Sequence, residues 1–193
     1  QFDLVVSGIN PGANVGRAVY HSGTVGAAIT ARNGGISGIA ISQAVTGFGV
    51  EGQGWDDALK GQMWDSAATV AQSVVEGWIA DRPKEAVVIN VNVPNCAVSE
   101  MKGWRRTDIG HVVTRAMAGA ELEPKEGHDG AFYVRMTYGD TIQMPGETDG
   151  GAVENGEVAI TYIGRFNDVP SQGSAAVNDA LTTLVGQANT LHS

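Results

Sequence analysis

The stretch from Asp3 to Ala28, DLVVSGINPGANVGRAVYHSGTVGAA, leaves the chain few ways to fold. Leu4, Val5 and Val6 form the short apolar run that a parallel strand covered on both faces needs, and Ser7-Gly8 predicts its end at a backbone turn. Gly8, Gly12 and Gly16 then interleave with Asn10 and Asn14. Both asparagines can ligate a cation through an amide oxygen, and glycine lets the backbone approach a ligand closely. Ser22 is a good N-cap for a helix predicted from Gly23 to Asn33. The N–H groups of Gly23, Thr24 and Val25 would then face a bound anion with the helix dipole behind them. Strand, loop and helix start together describe an anion site. The stretch contains neither G-x-G-x-x-G nor the Walker G-x-x-x-x-G-K-[ST], which demotes dinucleotide binding of the Rossmann type.

The other constraints concern partners and compartment. A formal net charge of −9 argues against a polyanion-binding surface, so nucleic acid polymers are not expected as partners and any phosphate site must be built locally. The single cysteine, Cys96, excludes an internal disulfide and fits a reducing compartment. No secretory signal and no apolar run of membrane-spanning length is visible, which makes cytoplasm the expected location and a membrane partner unexpected. The 193 residues, 42% of them hydrophobic, suffice for one domain with a real core and a small appendage. The chain opens with Gln1 and enters a central strand almost at once, which predicts a further strand and crossover helix upstream of the given sequence.

Downstream, Asn33-Gly34-Gly35 stops the first helix and Ile39 to Ile41 read as the next strand, completing a βαβ unit. After a glycine-rich loop from Thr46 to Gly54, Asp56 and Asp57 open a helix whose apolar positions Leu59, Met63, Ala67, Val70, Val74 and Trp78 keep helical spacing. Two acids in a first turn are ordinary dipole partners, so this pair is not assigned to a metal. Arg82-Pro83 ends the helix. Ala86 to Val93 follows as a strand with Val87, Ile89, Val91 and Val93 alternating against Asn90 and Asn92. From Gly103 short alternating runs replace the strand-helix rhythm, predicting an antiparallel extension over 103–165, with Ala131 to Ile163 as a long hairpin around the turn-rich PGETDGG. A last helix is predicted within 173–193, from about Ala175 to Leu191. Its positions Val177, Leu181, Leu184, Ala188 and Leu191 share one face.

SGIN-x-G-x-N-x-G followed by SGTVGAA resembles the SurE (survival protein) family of metal-dependent nucleotidases, and NVNVP at Asn90 to Pro94 resembles it too. The resemblance implies hydrolysis of nucleoside monophosphates with a divalent metal, Mg²⁺ or Mn²⁺. It also implies an antiparallel hairpin used for self-association, here as a homodimer or homotetramer. Asparagine beside glycine is usually a turn former. In the family, however, the SGIN asparagine ligates the metal, and Asn10 matches it. Ser22, Gly23 and Thr24 become the implied phosphate-binding residues, since capping is compatible with contacting phosphate. His21 has no visible partner, and the family pattern runs Tyr directly into Ser-Gly-Thr, so it is not assigned as a base. The family's metal site also uses two consecutive aspartates in an Asn-Asp-Asp-Gly motif and a later serine, for which this sequence has no counterpart.

The expectation is thus an α/β chain, a Rossmann-like three-layer parallel sheet with an antiparallel hairpin extension and a C-terminal helix. Its expected function is that of a metal-dependent 5′-nucleotidase. The metal would polarise a phosphoryl oxygen and activate water, and the amides after Ser22 would stabilise charge on the transferring group. No catalytic base is visible. The alternative is a non-catalytic phosphate-binding or oligomeric scaffold module.

Overall fold

The computed structural model describes residues 2–45, 59–111, 117–140, 142–164 and 182–184. A five-stranded sheet carries the molecule, in the order β1 (Leu4–Pro11), β2 (Ser37–Gln43), β3 (Val88–Val93), β7 (Val158–Ile163), β4 (Trp104–Arg106). The first three strands are parallel, β7 is antiparallel to β3, and β4 runs parallel to β7. Side chains alternate along the strands, so β2 and β3 present Ala40 and Val88 to one face and Ile39, Ile41, Ile89, Val91 and Val93 to the other. Helix α1 (Gly23–Asn33) covers the first face through Val25 and Ala28. Helix α2 (Trp64–Ala80) covers the second through Ala67 and Trp78. The expected three-layer α/β architecture is the observed one.

Four expectations need correction. First, β1 does not end at Ser7-Gly8. It bulges between Ser7 and Asn10 and resumes pairing through Pro11, so Asn10 lies on the strand's end, opposite Ser42. Gly8, at φ +126°, makes that bulge, and a Cβ there would collide with the Ile41 carbonyl. Second, the helix of α2 is not continuous with its predicted start: Leu59 and Lys60 are helical, the backbone turns at Gly61, and α2 begins at Trp64. The break is held from outside, because Asn95 accepts from Met63 N at 3.0 Å and donates to the Gly61 carbonyl at 3.1 Å, while Gln43 donates to the Met63 carbonyl at 3.0 Å. Asp56, Asp57 and the Thr46 to Gly54 loop lie outside the described residues.

Third, the hairpin is not Ala131 to Ile163. It pairs β5 (Met117–Pro124) with β6 (Phe132–Tyr138) in a separate two-stranded sheet, and β7 returns to the central sheet beside β3. Alternation could not distinguish these pairings, because period two marks a strand's faces and says nothing of its neighbour. Fourth, the segment read as a hairpin tip is a helix start: Thr148 caps the short helix α3 (Asp149–Glu154), accepting from Gly151 N at 3.2 Å. The predicted C-terminal helix lies outside the described residues apart from 182–184, which are helical.

Candidate functional site: a glycine loop and a helix start at the sheet's carboxyl edge

The loop after β1 crosses the carboxyl ends of β2 and β3, the edge at which open α/β sheets bind ligands. Asn14 fixes it there. Its Nδ2 donates to Ser42 Oγ at 2.7 Å, and its backbone N donates to Asn92 Oδ1 at 2.7 Å. Its carbonyl accepts from Asn90 Nδ2 at 2.9 Å and Asn92 Nδ2 at 3.2 Å. Ser42, Asn90 and Asn92 are fully buried, so the asparagines that looked like a strand's polar face are the loop's anchor. The next anchor is Asp149. Gly16 N donates to both its carboxylate oxygens, at 3.1 and 3.0 Å.

From Gly16 a 3-10 turn runs to His21 and delivers Ser22 to the start of α1. Ser22 accepts from Val25 N at 3.1 Å, as an N-cap should. The Val25 amide is therefore occupied and its side chain fully buried, which removes it from the three donors expected of the sequence. The Gly23 and Thr24 amides remain without an intrahelical acceptor, as first-turn amides do. Gly23 is exposed, nothing lies within 4 Å of a Cβ position there, and the first turn holds no acidic residue. Two amides, a serine hydroxyl with a proton to donate and the positive end of an 11-residue helix thus meet at one place, an arrangement whose donors and dipole favour negative charge.

Asn10 donates through Nδ2 to the carbonyls of Pro11 at 3.1 Å and Gly12 at 2.8 Å. That is the turn-forming role of an asparagine, and it leaves the Oδ1 end without a partner among the described residues. One neutral oxygen is a poor site for a hard cation that wants several oxygens including carboxylates. Among the described residues no three His, Cys, Asp or Glu side chains gather to hold a metal ion. The described residues therefore do not by themselves fit a divalent metal centre. Burial, and secondarily Glu100, push the Cys96 thiol above its ordinary pKa, and His21 is exposed with no hydrogen-bond partner among the described residues. Sequence reasoning missed Asp149. The Thr-Asp-Gly-Gly run, an N-cap followed by an acid, was the available signal.

An open α/β sheet with a capped helix start and a glycine loop at its carboxyl edge places the chain in the Rossmann-like class. Residues 1–116 match the family model described as Survival protein SurE, and the chain belongs to the SurE family. It is 31% identical over 161 residues to a 5′/3′-nucleotidase SurE of Erwinia tasmaniensis, a match covering 83% of this chain and 56% of that relative. It is 34% identical over 163 residues to a 5′-nucleotidase SurE of Histophilus somni, covering 84% and 59%. The solved SurE protein of Aquifex aeolicus superposes with a TM-score of 0.61 at 27% identity, over 94% of this chain and 65% of that one. The chain thus spans less than two thirds of the length of these relatives.

Proposed function

We propose that this chain carries the phosphate-holding part of a phosphomonoester hydrolase acting on nucleoside monophosphates. The observation that carries the reading is the start of α1, with Ser22 as cap and the Gly23 and Thr24 amides without an intrahelical acceptor, in a member of a family whose relatives are named nucleotidases. In the reaction water adds to phosphorus and the ester oxygen leaves with the nucleoside. The Ser22 hydroxyl and the two amides hold the non-bridging oxygens, where donors and dipole oppose the charge of the transferring group. Asn10 Oδ1 would supply one neutral oxygen to Mg²⁺ or Mn²⁺. Among the described residues no carboxylates gather to complete a ligand set for such an ion.

That no carboxylates gather near Asn10 among the described residues favours a second reading, a phosphate-binding module without catalysis. Phosphate release from nucleoside monophosphates with Mn²⁺ or Mg²⁺ separates the two, measured on the 193-residue chain and on the full product of its gene. The expected result is little turnover from the short chain, and turnover in the full product that Asn10→Ala lowers. An inert, folded full product overturns the enzyme reading. We further infer self-association through the β5–β6 hairpin, as a homodimer or homotetramer, because Leu122, Phe132, Val134 and Met136 are 38–66% exposed on it and the β5–β6 register sets Leu122 opposite Val134. Leu122→Glu should lower the mass seen by light scattering, and a native protein monomeric at about 10–50 µM, where micromolar interfaces still form, would remove the claim. A cytoplasmic setting suits the free thiol of Cys96.

A further inference from the structure

Asp149 has no exposed surface, yet no cation pairs with it among the described residues. Its oxygens are occupied by backbone amides from three separate segments: Gly16 on both oxygens at 3.1 and 3.0 Å, Gly110 at 2.9 Å and its own neighbour Gly150 at 2.8 Å. Burying a carboxylate is costly, and burial raises the pKa of Asp149 by more than the amides of Gly110, Gly16 and Gly150 lower it. An asparagine would have been cheaper to bury. It would give up part of the grip on Gly16, whose amide donates to both oxygens, because an amide nitrogen in place of Oδ2 would point its own hydrogens at that donor.

What the carboxylate holds is the entrance to the helix. Gly16, at φ +54°, begins the 3-10 turn that ends at His21, and Val19 within that turn is buried against Val25 and Ala28 of α1. The turn is six residues long and leads directly into the Ser22 cap, so the position of Gly16 bears on that of Ser22. We propose that Asp149 is a positioning residue of the phosphate site, clamping Gly16 so that Ser22, Gly23 and Thr24 present their donors in one arrangement. The proposal rests on the reading of the α1 start as the phosphate site. It also ties the loop after β4, through Gly110, to that site, where a Cβ on Gly110 would come within 3.3 Å of Asp149 Oδ1.

Electrostatics and positioning make opposite forecasts for Asp149→Asn. Loss of a negative charge near a phosphate should tighten binding, and loss of the clamp should weaken it. The experiment is titration of the 193-residue chain with inorganic phosphate, followed by amide NMR at Gly23 and Thr24, together with hydrogen exchange over residues 16–24. The variants are Asp149→Asn, Gly110→Ala, which keeps the carboxylate but crowds it, and Ile41→Val in the opposite core layer as a destabilised control. The expected result is phosphate binding weakened at least about tenfold in both site variants and unchanged in the control, with exchange accelerated over 16–24 and not in β3. Unchanged or tighter binding in Asp149→Asn, or acceleration spread evenly over the molecule, overturns the proposal. Should Asp149→Asn fail to fold, Gly110→Ala decides by the same criteria. A native chain that gives no phosphate response at Gly23 and Thr24 sinks the phosphate reading, and exchange over 16–24 then decides alone whether Asp149 clamps the turn.

Discussion

Asn14 and Asn92 pair as two strands of a sheet would: the Asn14 amide donates to Asn92 Oδ1 at 2.7 Å, and Asn92 Nδ2 returns a bond to the Asn14 carbonyl at 3.2 Å. A side chain here replaces a neighbouring backbone. It satisfies both polar groups of a loop residue that is buried without belonging to any strand.

Asn92→Ala should therefore destabilise the protein by about 1–3 kcal/mol, the cost of leaving a buried donor without its partner. Urea unfolding measures it. A loss under about 0.5 kcal/mol would mean that water enters and takes over the bond.

Gly38→Ala tests how closely α1 lies on the sheet. A Cβ at Gly38 would sit 2.6 Å from the Ala28 Cα and strike its carbonyl, and since both are backbone neither can rotate away. The expected loss is about 3 kcal/mol, the upper part of the overpacking range. Thermal unfolding that matches the native protein would show that α1 can lift off without cost.

Ser22→Ala removes the side-chain acceptor at the start of α1 that holds Val25 N. Stability should fall by about 1 kcal/mol, while Ser22→Gly should cost only a few tenths. If the hydroxyl also donates to phosphate, Ser22→Gly weakens phosphate binding out of proportion to that small loss. Calorimetric titration of the Gly variant with phosphate reads the difference, and native affinity in that variant would confine Ser22 to capping.

The Arg105–Glu157 pair, bonded at 2.9 Å from both Nε and Nη2, gives the protein a mild pH dependence. The hydrogen bond from Arg105 holds the Glu157 carboxyl below its ordinary pKa. A carboxylate with a depressed folded pKa stabilises above its unfolded pKa, and that stability goes as pH falls through the folded value. Arg105→Met should thus lower the melting temperature at pH 7 and much less at pH 3. The gap at pH 7 should narrow in 1 M salt, since the pair is partly exposed. An equal deficit at both pH values would assign the effect to packing.

Much of this protein follows from local pattern. The run Leu4 to Val6, the cap at Ser22 and the stop at Asn33-Gly34 are set by side-chain polarity, capping chemistry and backbone freedom, all of which act within a few residues. Helix α1 accordingly occupies the predicted Gly23–Asn33, and the family motifs lying in the same stretch marked the family to which the chain belongs. Tertiary structure decided whatever depends on partners far along the chain. Gly16 and Asp149 are 133 positions apart, Asn14 and Asn92 are 78 apart, and nothing in either local sequence marks the other member. The same limit explains the hairpin, where alternation marked Val158 to Tyr162 as a strand but only packing beside β3 could choose its neighbour. Buried Asn90 and Asn92 show the reason most plainly: a polar side chain goes into the core only when distant groups arrive to satisfy it, and where those groups lie is a property of the fold.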